Sequence, residues 1–413
     1  MIIQEVTSPG GIQAWLVEDY ALPMFTLYYG FEGGGAQDPA GKEGLTNFVT
    51  LALDKGTRAL QRRAEELALR LSFHATTDTI FGGVEALSEN RDAASQLLKR
   101  ALTHPRFDAD AIEDVRRRLL SFHAGEARMP WFVARVQWDA VAFAGHPYAR
   151  QIAGTEATIP VITAADIRAY TARVFARDRL KVVAVGDIIP AELGKFLDDA
   201  FGELPASANL TPVPAITPVL GGRLRVADMD VSQSGVQFGV GAVPYDDPDY
   251  VAAEVLTHIV GGSGIASKLA DEVRVKRGLA FSIETWLERF GNAAVFRGTV
   301  YTHNDKVAQS LDIINEVLRK IWDGALTQAD LEDAQGYLIA SYPLRFDSYP
   351  NIADELLGLF MAGFGPEFFE NRKRLIAAVT LDDLKRVAKR MLDPKDLIVS
   401  IAGSPALQPP RTD

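Results

Sequence analysis

The sequence predicts an α+β protein made of two homologous domains, each a mostly antiparallel sheet layered with helices. Three observations carry that expectation. The middle of the chain is Pro-rich, the end of each half repeats the other without a gap, and strands mix irregularly with helices without a repeating βαβ phosphate loop.

Taken in order, GIQAWLVED and PMFTLYYGFEGG open the chain as strand-like runs. GKEGLTNFVTLALDKGT, from Gly41, then has the rhythm of a helix: Leu45, Phe48, Val49, Ala52 and Leu53 form one apolar stripe, with polar Asn47 and Thr50 set among them. RRAEELALRL and ADAIEDVRRRLL read as further amphipathic helices. From Glu203 to Gly222 the chain reads ELPASANLTPVPAITPVLGG, with prolines at 205, 212, 214 and 218. Proline gives no ladder donor and keeps its predecessor extended, so a semi-rigid linker is expected there. The implied division is an N-terminal domain over 1–204, a linker over 205–222 and a C-terminal domain over 223–413.

The halves are related. A shift of 217 positions pairs Thr163 with Thr380, Asp166 with Asp383, Ile167 with Leu384, Arg173 with Arg390, Val182 with Val399 and Gly186 with Gly403. FDADAIEDVRRRLL from Phe107 matches LTQADLEDAQGYLI from Leu326 at a shift of 219. In each copy a Thr N-cap precedes a helix, and a β-branched strand follows a charged turn. This is a duplicated domain.

Composition excludes several function classes. The 413 residues carry 43 basic and 54 acidic side chains, a net charge of −11, and no basic run. Nucleic-acid and anionic-membrane partners are disfavoured, because such binding rests on clustered Lys and Arg. With no cysteine, thiolate metal sites and a cysteine nucleophile are excluded. The longest apolar stretch, LLGLFMAGFG, is far short of the roughly 20 residues of a membrane helix. MIIQEVTSPGGIQAWLVED lacks a basic region followed by an apolar core, so no signal peptide is expected at this start. A soluble protein of the cytoplasm or periplasm is expected.

The pattern G-x-x-x-F-x-x-x-x-x-K-G-T around Phe48 resembles the zinc helix of the pitrilysin and mitochondrial processing peptidase family, the inverzincins. FHATTDTIFGG from Phe73 is similar to that family's strand beside the metal helix, and GHPYARQIAGT from Gly145 to its H-P-Y-G segment. SKLADEVRVKRGLAFS from Ser267 is close to its S-R-L-x-x-x-V-R-E-K-R-G-L-A-Y-S. The four matches fall in the family's order over nearly the whole chain.

In active members the helix carries H-x-x-E-H, whose two His ligate zinc and whose Glu is the general base. Aligned on Phe48 and Lys55-Gly56-Thr57, those positions are Asn47, Thr50 and Leu51. Leu51 has no lone pair, Asn47 is a poor zinc ligand and Thr50 cannot act as a carboxylate base. No two of the six histidines lie within one helical turn of each other, and the region of the third ligand reads SFH, with Glu126 nearby. No metal and no catalytic residue are expected in this chain. His146 in HPY and His74 are read as structural.

The resemblance also implies a substrate-binding half. Many members carry an Arg and a Tyr seven apart that hold the substrate backbone and assist the oxyanion. The positions here are Arg274 and Phe281, and phenylalanine donates no hydrogen bond. Arg274 either contacts peptide carbonyls or sits in a local salt bridge. Gly261, Gly262 and Gly264 resemble a short form of the glycine-rich loop by which the non-catalytic processing-peptidase subunit handles substrate; glycines also mark any tight turn.

The function implied is that of a non-catalytic, substrate-handling subunit. Its partner would be an H-x-x-E-H-bearing homologue that holds the zinc, the pair closing as a clam-shell of four domains around peptide substrates. Alone, the chain could pair with itself. The alternative is a purely structural or assembly protein of the same fold, with no role in proteolysis. Retention of Arg274 favours the first reading and loss of Tyr at 281 the second.

Overall fold

The computed structural model describes residues 1–55, 58–105, 107–218, 221–262 and 267–406, and among them the chain forms eleven strands and thirteen α-helices. The first half runs β1 (Gln4–Thr7), β2 (Gln13–Glu18), β3 (Met24–Glu32), α1 (Leu45–Lys55), α2 (Arg58–Glu66), β4 (Arg70–Ala75), β5 (Thr79–Leu87), α3 (Arg91–Thr103), α4 (Ala109–Glu126), α5 (Pro130–Ala142), α6 (Ala164–Val174), β6 (Leu180–Gly186) and α7 (Pro190–Phe201). The second runs β7 (Leu224–Asp228), β8 (Gln233–Gly241), α8 (Tyr250–Gly261), β9 (Ala280–Phe290), β10 (Ala293–His303), α9 (Val307–Trp322), α10 (Gln328–Ser341), α11 (Tyr349–Met361), α12 (Pro366–Ala378), α13 (Leu381–Met391) and β11 (Ile398–Gly403).

These elements pack as two compact units. The first comprises Met1–His123, Arg150–Val213 and Tyr342–Glu370; the second comprises Ala124–Ala149, Pro214–Ser341 and the chain from Asn371 onward. Each unit thus contains one helix from the other half of the sequence: α11 belongs to the first and α5 to the second. The two helices span Pro130–Ala142 and Tyr349–Met361, so they are counterparts at the repeat shift of 219.

The sheets repeat as well. The first unit has the order β1-β2-β6-β3-β5-β4 and the second β7-β11-β8-β10-β9. Without β1 the two orders are one order. The directions agree too: β2–β6 and β7–β11 are parallel, and the remaining pairs are antiparallel. Both copies keep the same local devices. Thr163 and Thr380 each close a capping box with the Asp three residues on, and Gly186 and Gly403 each end the following strand at φ of 122° and 146°. Cross-strand pairs Tyr29–Gly82 and Phe238–Gly298 also correspond. The aromatic ring lies where the glycine's Cβ would be, at 2.2 Å and 2.1 Å.

Side-chain alternation gives each sheet two buried faces. On β2 of the first unit Ala14 and Leu16 join the large core under α1, α3, α6 and α7, whereas Trp15 and Val17 pack on α11 with Val183 and Val185. In the second unit Gly235 and Gly239 of β8 let α5 approach closely, since a Cβ at Gly235 would stand 2.6 Å from the Trp131 backbone nitrogen. Ser400 and the Ile398 carbonyl of β11 meet Gln137 and the Trp138 indole of that helix.

RRAEELALRL is not one helix. α2 ends at Glu66, Ala68 takes a left-handed φ of 48°, and β4 begins at Arg70. The helix-like spacing of Ala64, Leu67, Ala68 and Leu71 comes from a helix end followed closely by a strand, in which Leu71 and Phe73 alternate with Arg70, Ser72 and His74. Through 218 the Pro-rich segment forms no strand and is hydrogen-bonded to both units. Pro205 and Ala206 accept from Arg177 and Asp178 in the first unit, and Ile216 donates to Asn292 in the second. Among the described residues no helix is long and apolar enough to cross a membrane.

Candidate functional site

The stripe expected on α1 is buried: Leu45, Phe48, Val49 and Leu53 enter the first unit's core. The start of α1 is fixed by Asp38, 3% exposed, whose carboxylate accepts from the Gly44 and Thr46 amides at 2.9 Å each and from the Thr46 hydroxyl at 2.6 Å. The Thr46 hydroxyl also lies 2.8 Å from that of Tyr170, which donates to the Gly34 carbonyl at 2.9 Å. Burial pushes the Asp38 carboxyl up to about 7, while its bonds from Thr46 and Gly44 pull the other way. Sequence reasoning missed this support. Asp38 lies seven residues before Leu45, outside any capping-box spacing, and Tyr170 arrives from α6.

The three positions that the resemblance aligns with the family's zinc motif, Asn47, Thr50 and Leu51, lie on this helix. Thr50 is buried and donates to the Asn47 carbonyl at 2.9 Å, one turn back, so its hydroxyl is satisfied within α1. Leu51 is half-buried against the core. The Asn47 amide is half-buried and makes no side-chain hydrogen bond among the described residues. One amide, one hydroxyl and one isobutyl group do not fit zinc, which takes imidazole, thiolate or carboxylate. Among the described residues no three His, Cys, Asp or Glu side chains come together as a possible metal cluster. Gly56 and Thr57 lie outside the described residues.

His146 is structural. Its Nδ1 accepts from the Tyr148 amide at 3.2 Å, which leaves Nε2–H to donate to the Pro214 carbonyl at 3.0 Å.

In the second unit Arg274 rides on a π-helical turn, Ala270–Val275, closed by the Lys276 amide on the Asp271 carbonyl at 2.9 Å. The turn exits through Gly278 at φ 58°. Arg274 is exposed and has no hydrogen bond or ion pair among the described residues. Its neighbours differ. Lys276 pairs with Asp271 at 2.6 Å and Glu272 at 2.7 Å, and Arg277 with Glu272 at 2.5 Å, which together hold the Glu272 carboxyl down to about 2. The local acids are committed to the other two cations.

Phe281 is 49% exposed at a bulge of β9, between Ala280 opposite Thr302 and Ser282 opposite Tyr301. Its ring meets His303 at 4.9 Å. Gly261 ends α8 where a Cβ would stand 2.7 Å from Thr285, and a Cβ on Gly262 would strike His258. Both glycines therefore have packing reasons. Gly264 lies outside the described residues.

The profile of the family described as Peptidase M16 inactive domain matches residues 162–338. The non-peptidase homolog YmxG of Helicobacter pylori is 26% identical over 94% of this chain and 90% of its own length. A probable mitochondrial-processing peptidase subunit beta of Schizosaccharomyces pombe is 25% identical over 92% of this chain and 86% of its own. A crystal structure of a peptidase M16 inactive domain from Pseudomonas fluorescens superposes with a TM-score of 0.91 at 23% identity, covering 99% of this chain and 100% of that one.

These likenesses support an inactive member of the peptidase M16 family. The chemistry of α1 agrees with that: Asn47, Thr50 and Leu51 offer neither a set of zinc ligands nor a carboxylate base.

Proposed function

We propose that this chain is the non-catalytic, substrate-handling subunit of a heterodimeric zinc peptidase. An H-x-x-E-H-bearing homologue supplies metal and base, and the two chains close as a clam-shell around peptides. The observation that carries the reading is Arg274. It is an exposed guanidinium on a π-helical turn, left unpaired among the described residues while Lys276 and Arg277 take the nearby acids. A free guanidinium beside an open sheet edge is suited to peptide carbonyls, and β9 is such an edge. In the first unit β4, packed beside α1, is an edge strand able to accept an extended chain. The similarity to a processing-peptidase subunit beta supports a paired arrangement, in which the boundary after Leu204 separates two of the four domains of the shell. The glycines at 261, 262 and 264 would shape the approach to Arg274.

The test mixes this chain with its zinc-bearing homologue and assays a flexible peptide. Wild type is expected to raise the homologue's rate. Arg274→Ala should lower kcat/KM about tenfold or more, the equivalent of one charge-assisted hydrogen bond of about 1.5–3 kcal/mol. If the wild-type chain changes neither rate nor affinity, the purely structural reading replaces this one. If Arg274→Ala stimulates as well as wild type, pairing stands and the arginine's role falls.

A further inference from the structure

The duplication makes it possible to ask what stands at one place in both units. Because Gly82 and Gly298 are equivalent, Phe81 on β5 corresponds to Arg297 on β10. Their edge-strand partners, His74 and Trp286, correspond as well. On the exchanged helices, Leu357 corresponds to Trp138 and Asp354 to Arg135 at the shift of 219.

In the second unit this place is filled. The Arg297 side chain is fully buried, its guanidinium 4.1 Å from the Trp138 ring centroid and 2.6 Å from the Asp139 carboxylate, with Glu288 on its other side. In the first unit Phe81, His74 and Leu357 take the places of Arg297, Trp286 and Trp138 and leave a hollow of about 240 Å³ between the sheet and α11, lined by Tyr28, Ser72, His74, Phe81, Asp354 and Leu357 among others. One wall is aromatic: the His74 and Phe81 rings stack at 5.0 Å with 17° between planes. The Tyr28 hydroxyl is engaged with Glu85 at 3.3 Å. Asp354 stands at the rim with no hydrogen bond or ion pair among the described residues. The hollow therefore has an aromatic face and a carboxylate without a hydrogen bond or ion pair among the described residues, the kinds of group that hold the Arg297 guanidinium in the other unit. The basic group among its lining residues is the His74 imidazole, whose charged form would act on Asp354.

We infer that this hollow binds the guanidinium of an arginine side chain presented by a peptide. A planar cation can lie on the Phe81–His74 wall while its edge donates to Asp354, and its propyl stem can cover Leu357. A lysine ammonium has the charge but not the flat face. The inference does not rest on pairing with a zinc-bearing chain, because every group named belongs to one unit of this protein.

The test is calorimetric titration of the purified full chain with acetyl-arginine methylamide, the neutral isostere acetyl-citrulline methylamide, and agmatine. The arginine probe is expected to bind at least about tenfold more tightly than the citrulline probe, the effect of one charge-assisted bond. Asp354→Asn should bring the two probes level with the unfolding midpoint unchanged, since Asp354 is a surface residue. Phe81→Arg, which supplies an internal cation, should abolish binding of the arginine probe. Equal affinity for arginine and citrulline, wild-type affinity in Asp354→Asn, or no heat at millimolar probe overturns the inference. Agmatine binding more tightly than acetyl-arginine methylamide overturns the assignment to a peptide.

Discussion

The two units share a backbone plan and differ in what they bury under the exchanged helix. Beneath α11 the first unit is apolar: Trp15 stacks on Phe360 at 4.4 Å, with Tyr349, Ala353, Leu356 and Leu357 around it. Beneath α5 the second unit buries ions, Arg297 between Asp139 and Glu288, with Arg135 joining Glu288 at 2.7 Å. Its α8, the counterpart of α1, likewise buries Glu254 against Arg372 at 2.8 Å and Arg289 at 3.2 Å. The same fold thus tolerates either solution, and what each unit can do is decided by side chains rather than topology. Ion pairs make the second face specific and intolerant of single changes. The first face has space and an open carboxylate, the features a ligand can use.

The sharpest way to break this comparison is to remove the buried cation. Arg297→Met strands Asp139 and Glu288, and burial already lifts the Asp139 carboxyl, with Arg297 and Arg135 pulling it back. Loss of one member of such a set is expected to cost about 3–5 kcal/mol. Combining Arg297→Met with Asp139→Leu and Glu288→Leu should restore most of that stability, because no buried charge is then left unpaired and Arg135, which loses both acids, is about half exposed to water. Urea unfolding of the single and triple variants measures both. A single variant within about 1 kcal/mol of wild type would show the ionic face to be no more demanding than the apolar one, where surface-like costs of that size are ordinary.

Asp38 offers a second break, confined to the first unit. The unfolded carboxyl titrates near 3.8 and the folded one near 7. Between those values the folded chain holds a proton that the unfolded chain has lost, so stability falls as pH rises through that window. The linkage is worth up to about 4 kcal/mol by integration. Asp38→Asn removes the titration, and urea midpoints at several pH values from 4 to 7 should then show a flatter profile. An unchanged slope would place the pH dependence elsewhere.

Much of this fold was legible because its signals are local. The Thr caps, the strand-ending glycines and the apolar stripes on α1 and α6 are each set within a few residues, and they survive in both copies. The exchange of α5 and α11 was not legible. An amphipathic helix declares that it has a buried face and says nothing of which sheet will cover it. At the site, the residue types at 47, 50 and 51 already spoke against zinc, because ligand chemistry is a property of identity. The freedom of Arg274 was not readable, since RVKR alone does not tell which of its cations the neighbouring acids will take. The hollow beside Phe81 was invisible for the same reason as the exchange: its walls come from β3, β4, β5 and α11, over 300 residues of chain apart.

The smallest expected effect tests the repeat itself. In each copy the Thr hydroxyl donates to its Asp partner, at 2.7 Å for Thr163 and 2.6 Å for Thr380. The Asp amide returns a bond at 3.3 Å and 3.2 Å respectively. The caps differ only in their surroundings: Asp166 also pairs with Lys42 from the lead-in to α1, whereas Asp383 pairs with Arg386 of its own helix at 2.8 Å. Removing the hydroxyl takes away both of these bonds, while the bond from the Thr amide to the Asp carboxylate and the ion pairs stay in place. Thr163→Ala and Thr380→Ala should therefore each cost about 1 kcal/mol and agree within about half of that. Urea unfolding of the two variants side by side gives the comparison. A cost above about 2 kcal/mol at one site and none at the other would mean that the two caps, alike in geometry, have come to support different loads, with α6 made dependent on its cap by the tether to Lys42.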